Sequence, residues 1–138
     1  MTRRMLLVVP LVACCRAADS AREVLDLVAD LASALSSGNV SLFLKPFDPK
    51  MPGYAKLREN VTGLIAQGEV QSLIDPLEDE GDDRRRVAQF HWTLRIERGQ
   101  QVSSFARREQ VVKCTMEKQG GKWRIVALEP IEFFAPGD

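Results

Sequence analysis

The stretch RVAQFHWTLRIERG, residues 86–99, determines the fold that we predict for this chain. Its apolar side chains recur at every second position, at Phe90, Trp92, Leu94 and Ile96. A period of two is typical of a half-buried β-strand, because successive side chains point to opposite faces of a sheet. We therefore predict a strand whose apolar face covers a core, with His91 among the polar residues of the other face.

Similar stretches lie on either side of this strand. The segments EVQSLIDPLEDEG (69–81), SFARREQVVKCTMEKQ (104–119) and KWRIVALEPIEFF (122–134) each predict a strand, the first of them broken at Pro76. Turns are predicted at residues 80–83, at Gly99-Gln100 and at Gly120-Gly121, the last being a tight hairpin. Short turns between successive strands indicate an antiparallel meander.

Helical patterns precede Gly68. Ser20 and Glu23 have the spacing of a capping box, and an apolar stripe of period 3.6 follows until Gly38-Asn39. A short helical turn is predicted at residues 40–47 and a second long helix from Pro52 to Gln67. Helices followed by a meander predict the α+β class, with the helices packed on a strongly curved antiparallel sheet of about four strands.

Three segments carry a family resemblance: ALSSGNVSLFL (34–44), MPGYAKLRENV (51–61) and QGGKWRIVALE (119–129). Together with the order of elements they resemble the nuclear transport factor 2-like superfamily, which includes SnoaL-like and ketosteroid isomerase-like proteins. The resemblance covers about residues 20–134. It implies a cone-shaped, cystatin-like roll with a pocket at its open end, and a homodimer formed through the outer face of the sheet.

The candidate pocket residues are Tyr54, Trp92, Arg108, Trp123 and Glu129. Glu129 shares the parity of Trp123 and Ile125, so we expect it to point into the pocket, where a buried carboxylate could serve as a general base. The alternatives are that a bulge before Pro130 leaves Glu129 in solvent and that both tryptophans belong to a plain core. The isomerase-like site has an aspartate base facing a tyrosine and a protonated aspartic acid. Tyr54, the sole tyrosine, lacks the spacing to two aspartates that this site requires.

The N-terminal segment, residues 1–18, predicts an export signal: Arg3 and Arg4, an apolar run from Met5 to Ala13, then small residues. The run is too short to cross a hydrocarbon core of about 30 Å as a helix. Leu11-Val12-Ala13-Cys14 resembles the bacterial lipobox, which implies cleavage before Cys14 and acylation of its thiol. Cleavage after Ala17 is the alternative and would give a soluble periplasmic or secreted protein. Residues 19–138 are then one domain.

Charge and cysteine content restrict the function. The chain has 19 basic and 19 acidic residues, and loss of residues 1–13 removes two arginines, giving 17 − 19 = −2. We therefore predict no nucleic-acid partner. The chain has one histidine and contains neither a CxxC motif nor a Cys/His cluster, so we predict no metal and no cofactor. Cys114 is interpreted as a buried free thiol, with a Cys15–Cys114 disulfide as the alternative.

Three functions remain open for this chain. The first is a non-catalytic module that binds a small hydrophobic ligand or acts as a scaffold. The second is a lyase or isomerase acting on a hydrophobic substrate, with Glu129 as base and Tyr54 as donor. The third is an accessory subunit of a cell-envelope complex that works through the outer sheet face, including His91 and Arg95. In each case the only contact predicted with a membrane is the lipid anchor.

Overall fold

The computed structural model describes residues 2–98 and 105–137, except for the side chains of residues 2–18, 98 and 105. Its helices and strands follow in this order: α1 Thr2–Ser36, α2 Val40–Leu44, α3 Tyr54–Gln67, β1 Gly68–Gly81, β2 Arg85–Arg98, β3 Phe105–Gln119, β4 Lys122–Glu129 and a 3₁₀ helix Ile131–Phe134. The predicted α+β class is confirmed. The Cys14 and Cys15 side chains and the turn at Gly99-Gln100 fall outside the described residues.

The four strands form one antiparallel sheet in the order β1-β2-β3-β4. The alternating residues of β2 bury one face as predicted, since Trp92, Leu94 and Ile96 are 0% exposed and Phe90 is 2% exposed. His91 lies on the outer face, with Nε2 3.7 Å from Glu109 Oε1. At the β3–β4 hairpin, Gly120 and Gly121 both have positive φ angles (57° and 81°), as a two-residue turn of this kind requires.

The helices cover the inner face of this sheet. Val24, Val28, Leu31 and Leu35 of α1 are at most 1% exposed, which confirms the predicted apolar stripe. Leu57, Val61 and Leu64 of α3 are fully buried in the same core. Burying each such side chain contributes about 1.5–3 kcal/mol, so these stripes fix the helices against the sheet. None of the helices in the described part of the chain is long and apolar enough to be a candidate membrane span.

The predicted capping box is wrong. Helix α1 begins at Thr2, so Ser20 and Glu23 are interior positions of one continuous helix. Only the first turn of a helix has unsatisfied backbone donors, and the two side chains therefore have no capping role there. Glu23 instead accepts a hydrogen bond from Trp123 on β4.

Strands β1 and β4 also differ from their predicted extents. Strand β1 is not broken at Pro76 but continues past it with a register shift between Pro76 and Glu78. Strand β4 ends at Glu129 rather than continuing through residue 134, because Pro130 has no N–H to offer a neighbouring strand. The chain then turns into the 3₁₀ helix, which returns to the inner side of the sheet.

Candidate functional site

The inner face of the sheet, where the pocket was predicted, is covered by the end of the chain itself. Phe133 and Phe134 are 1% and 0% exposed, and their ring centroids lie 6.4 Å and 5.1 Å from that of Trp92. Phe134 also lies 5.6 Å from the ring of Phe43 on α2. Trp92, predicted to line a pocket, is thus a packing residue beneath these rings. We call residues 131–137 the C-terminal plug.

Three polar side chains fasten the C-terminal plug to the rest of the domain. Arg108 of β3 donates through Nη1 to the carbonyl oxygens of Phe133 and Ala135, the latter at 2.8 Å. From α3, Asn60 donates to the Ile131 carbonyl at 3.3 Å, and Gln67 exchanges two hydrogen bonds with Gly137. Arg108, a predicted pocket residue, therefore binds the backbone of the plug.

Among the described residues, the buried polar groups do not include a carboxylate. The residues that carry these buried polar groups are Ser20, Asn60, Arg86, Thr93 and Thr115. Two further buried atoms, Ser72 Oγ and Trp92 Nε1, have no hydrogen-bond partner among the described residues. A hydroxyl and an indole N–H are neutral groups at physiological pH, so neither supplies the base that proton abstraction needs.

Glu129 does not point into the interior, and the prediction that it does is wrong. Met116 lies opposite Ile125 while Thr115 lies opposite Ala127, so Val126 is an extra residue in β4. The extra residue reverses the parity of the strand, and Leu128 takes the buried position while Glu129 is exposed. Tyr54 is half-buried at the start of α3 and packs on the core.

A second concave region lies outside the core, between α1, α2 and the β3–β4 hairpin. It is a groove of about 740 Å³, which we call the α1 groove. Its apolar floor consists of Leu27, Leu31, Leu42 and Trp123. The wall formed by α1 is acidic and contains Glu23, Asp26 and Asp30. The facing wall is basic and contains Lys45, Lys122 and Arg124.

Trp123 is hydrogen-bonded to α1 at one end of this groove. Its Nε1 donates to Glu23 Oε2 at 3.0 Å, and it is 7% exposed. Lys118 lies 3.7 Å from the same carboxylate and 5.5 Å from the centre of the indole ring. Trp123 was predicted to line a pocket inside the sheet, and the structure places it in the α1 groove instead.

The described residues contain no group of three or more histidine, cysteine or acidic side chains arranged to hold a metal ion. Cys114 is a free thiol on the inner face of β3 and is fully buried, as interpreted from the sequence. Burial raises the pKa of this thiol from 9.0 to about 12. A thiol held protonated in this way is a poor nucleophile.

Comparison with known proteins gives the fold. The chain matches no protein-family model and no curated protein sequence. Among solved structures it is similar to a nuclear transport factor 2-like protein with a cystatin-like fold from Novosphingobium aromaticivorans (TM-score 0.67, 17% identity, 86% of this chain and 84% of that one). It is also similar to a superfamily member from Salmonella enterica (TM-score 0.67, 15% identity, 88% and 94%). A third similar structure is a protein of unknown function from Shewanella oneidensis (TM-score 0.57, 13% identity, 78% and 95%).

This chain has a nuclear transport factor 2-like fold. Identities this low show the fold and leave the activity to be argued from the site. In this nuclear transport factor 2-like domain, the five predicted pocket residues do not form one site. Trp92 and Arg108 meet at the C-terminal plug, Trp123 lies in the α1 groove, and Glu129 is exposed.

Two features that decide the site in this domain were not predicted from the sequence. The first is the plug, for which the signal was Phe133-Phe134: adjacent aromatic residues cannot both face one side of a strand. The second is the acidic wall, for which the signal was the spacing of Glu23, Asp26 and Asp30. Intervals of three and four place carboxylates on one side of a helix.

Proposed function

We propose that this chain is a non-catalytic module that binds a small ligand, exported and anchored to the cell envelope through Cys14. The observation that carries the non-catalytic part is the position of the C-terminal plug. Phe133 and Phe134 cover the inner face, and the buried polar residues of the described chain include no carboxylate. A lyase or isomerase would need an acid and a base facing a substrate in that space.

The α1 groove is the binding site that we propose in place of the interior. Its volume of about 740 Å³ lies within the range of roughly 300–1,000 Å³ that is typical of ligand sites. It combines an apolar floor with a few charged groups at its edges, which is the usual composition of such sites. Leu42 is 47% exposed there, so part of the floor is open to a ligand.

Export and anchoring rest on the sequence of residues 1–14. The buried apolar side chains of the described chain begin at Val24, so cleavage before Cys14 would spare all of them. We expect intact-mass spectrometry of protein from its own host to show an acylated Cys14 as the first residue. The Cys14→Ser variant should lack the lipid mass and leave the membrane fraction. An unmodified start at Ala18 would contradict the anchor.

We also propose that two copies pair through the outer sheet face. Leu73 of β1 and Val111 of β3 are 62% and 45% exposed on that face. Analytical ultracentrifugation of the mature domain should give a dimer, and Leu73→Glu should weaken it. A monomer at the highest soluble concentration would contradict this arrangement.

Native mass spectrometry of protein isolated from its own host tests the binding function. We expect a small molecule to accompany the wild-type domain. Leu42→Glu, which places a charge on the groove floor, should lose that molecule. Leu77→Glu is the matched control, because Leu77 is 52% exposed on β1 and does not line the groove. A ligand retained by Leu42→Glu, or chemically converted during incubation, would contradict the proposal.

A further inference from the structure

We infer that the ligand of the α1 groove is a short apolar peptide of two or three residues with both termini charged. The inference rests on the proposed function and adds the chemical class of the ligand. It follows from three properties of the groove: walls of opposite charge, the length of the acidic wall, and an apolar floor.

The two walls carry charges that are not satisfied by each other. At one end, Lys118 and Trp123 both contact Glu23. Asp26 and Asp30 form no ion pair within the described part of the chain, although Lys45, Lys122 and Arg124 line the same groove. A ligand that places a cation beside the aspartates and an anion beside the basic wall would form ion pairs with both walls.

The length of the acidic wall sets the length of the ligand. Glu23 and Asp30 are seven residues apart, which is about 10 Å along a helix. Two or three extended residues span about 7–10 Å between amino and carboxylate termini. A free amino acid is too short to occupy that length.

The floor selects the side chains of the peptide. Leu27, Leu31, Leu42 and Trp123 supply the apolar part of the lining. Apolar side chains are favoured there, because packing against this surface removes their apolar area from water. Leucine-containing peptides are therefore suitable probes.

Calorimetric titration of the mature domain with Leu-Leu and Leu-Gly-Leu tests the inference. We expect a dissociation constant of about 1 mM or lower for at least one of them. Acetylation of the amino terminus or amidation of the carboxyl terminus should each weaken binding at least 5-fold. The domain has two tryptophans, so the ¹⁵N indole signals give a local readout. The Trp123 signal should move on binding, while the Trp92 signal should not.

Variants of the walls separate charge recognition from general effects. Asp26→Asn/Asp30→Asn should weaken binding of the free peptide at least 10-fold. The same variant should leave the affinity for the peptide acetylated at its amino terminus unchanged. Asp75→Asn/Asp83→Asn changes the charge equally on exposed residues outside the groove and should have no effect. Equal binding of the blocked and free peptides would overturn the inference. If neither peptide binds but Leu42→Glu still releases the host-derived molecule, the inference is overturned and the proposed function stands. A peptide that moves the Trp92 signal instead would overturn the inference and the proposed function together.

Discussion

At the scale of single residues, Arg108 helps to hold the C-terminal plug over the inner face of the sheet. Its position on the inner face of β3 is one where an arginine would be expected to bind a ligand. Its guanidinium instead donates to two carbonyls of the C-terminal plug. A charged donor satisfying two backbone acceptors in a half-buried position stabilises the segment it holds.

Replacing Arg108 by methionine should therefore lower the free energy of unfolding by about 2 kcal/mol, since hydrogen bonds to charged groups contribute about 1.5–3 kcal/mol. Arg107→Met is the matched control. Arg107 is exposed on the other face and pairs with Glu109 at 3.3 Å, an interaction that contributes at most about 1 kcal/mol. Urea denaturation of both variants provides the comparison. Equal midpoints for the two would contradict the role of Arg108.

Cys114 gives a prediction about pH at the same scale. Burial raises the pKa of its thiol from 9.0 to about 12, so the folded state keeps a proton that the unfolded state releases. The stability that depends on this thiol is fully present below about pH 9 and is lost as the pH rises towards 12. Wild type should lose about 1 kcal/mol more than Cys114→Ala between pH 8 and pH 10, measured by urea denaturation under reducing conditions. Parallel pH profiles would contradict the buried thiol.

At the scale of elements, the sequence predicts a strand best where its pattern allows one orientation only. In β2 each apolar residue from Phe90 to Ile96 is followed by a polar one, so one orientation buries the whole set. In β4 the run Ile125-Val126-Ala127-Leu128 is apolar throughout, and both parities are compatible with a core. The bulge at Val126 depends on how β4 pairs with β3 across the hairpin, which the residue pattern of β4 alone does not reveal, and Glu129 could therefore not be oriented in advance.

Helix α3 and the plug make a close contact that explains a glycine in the middle of a helix. A Cβ on Gly63 would lie 2.5 Å from Pro136 Cγ. Alanine is favoured over glycine in a helix by about 1 kcal/mol, yet Gly63→Ala should destabilise the domain because the plug would have to move. Thr62→Ala, at an exposed position of the same helix, should not.

A double-mutant cycle with Pro136→Ala isolates this contact. Once the proline ring is removed, Gly63→Ala should become stabilising, because only the helix-propensity gain remains. Thermal unfolding of the four proteins provides the measurement. A stabilising Gly63→Ala in the presence of Pro136 would show that the plug does not pack on α3 as described.

At the scale of the whole molecule, the α+β class and the order of elements could be predicted because periodicity is a local property of the chain. The residues that fill the interior could not be predicted, because Phe133 and Trp92 are brought together only by the complete fold. The family resemblance implied a pocket inside the sheet, and this chain covers that space with its own C-terminus. Its candidate site therefore lies on the outside of the helices, in the α1 groove.

The C-terminal plug fills the inner side of the sheet, and an apolar probe can detect whether that space is closed. Truncating Phe134 should cost about 3–5 kcal/mol and leave a dry cavity beside Trp92 able to hold benzene. The measurement is the ¹⁵N indole spectrum of the folded protein with and without saturating benzene. We predict that the Trp92 signal is unchanged in wild type and shifts in Phe134→Ala. A benzene-induced shift of the Trp92 signal in the wild-type protein would show instead that the plug leaves the interior open to ligands.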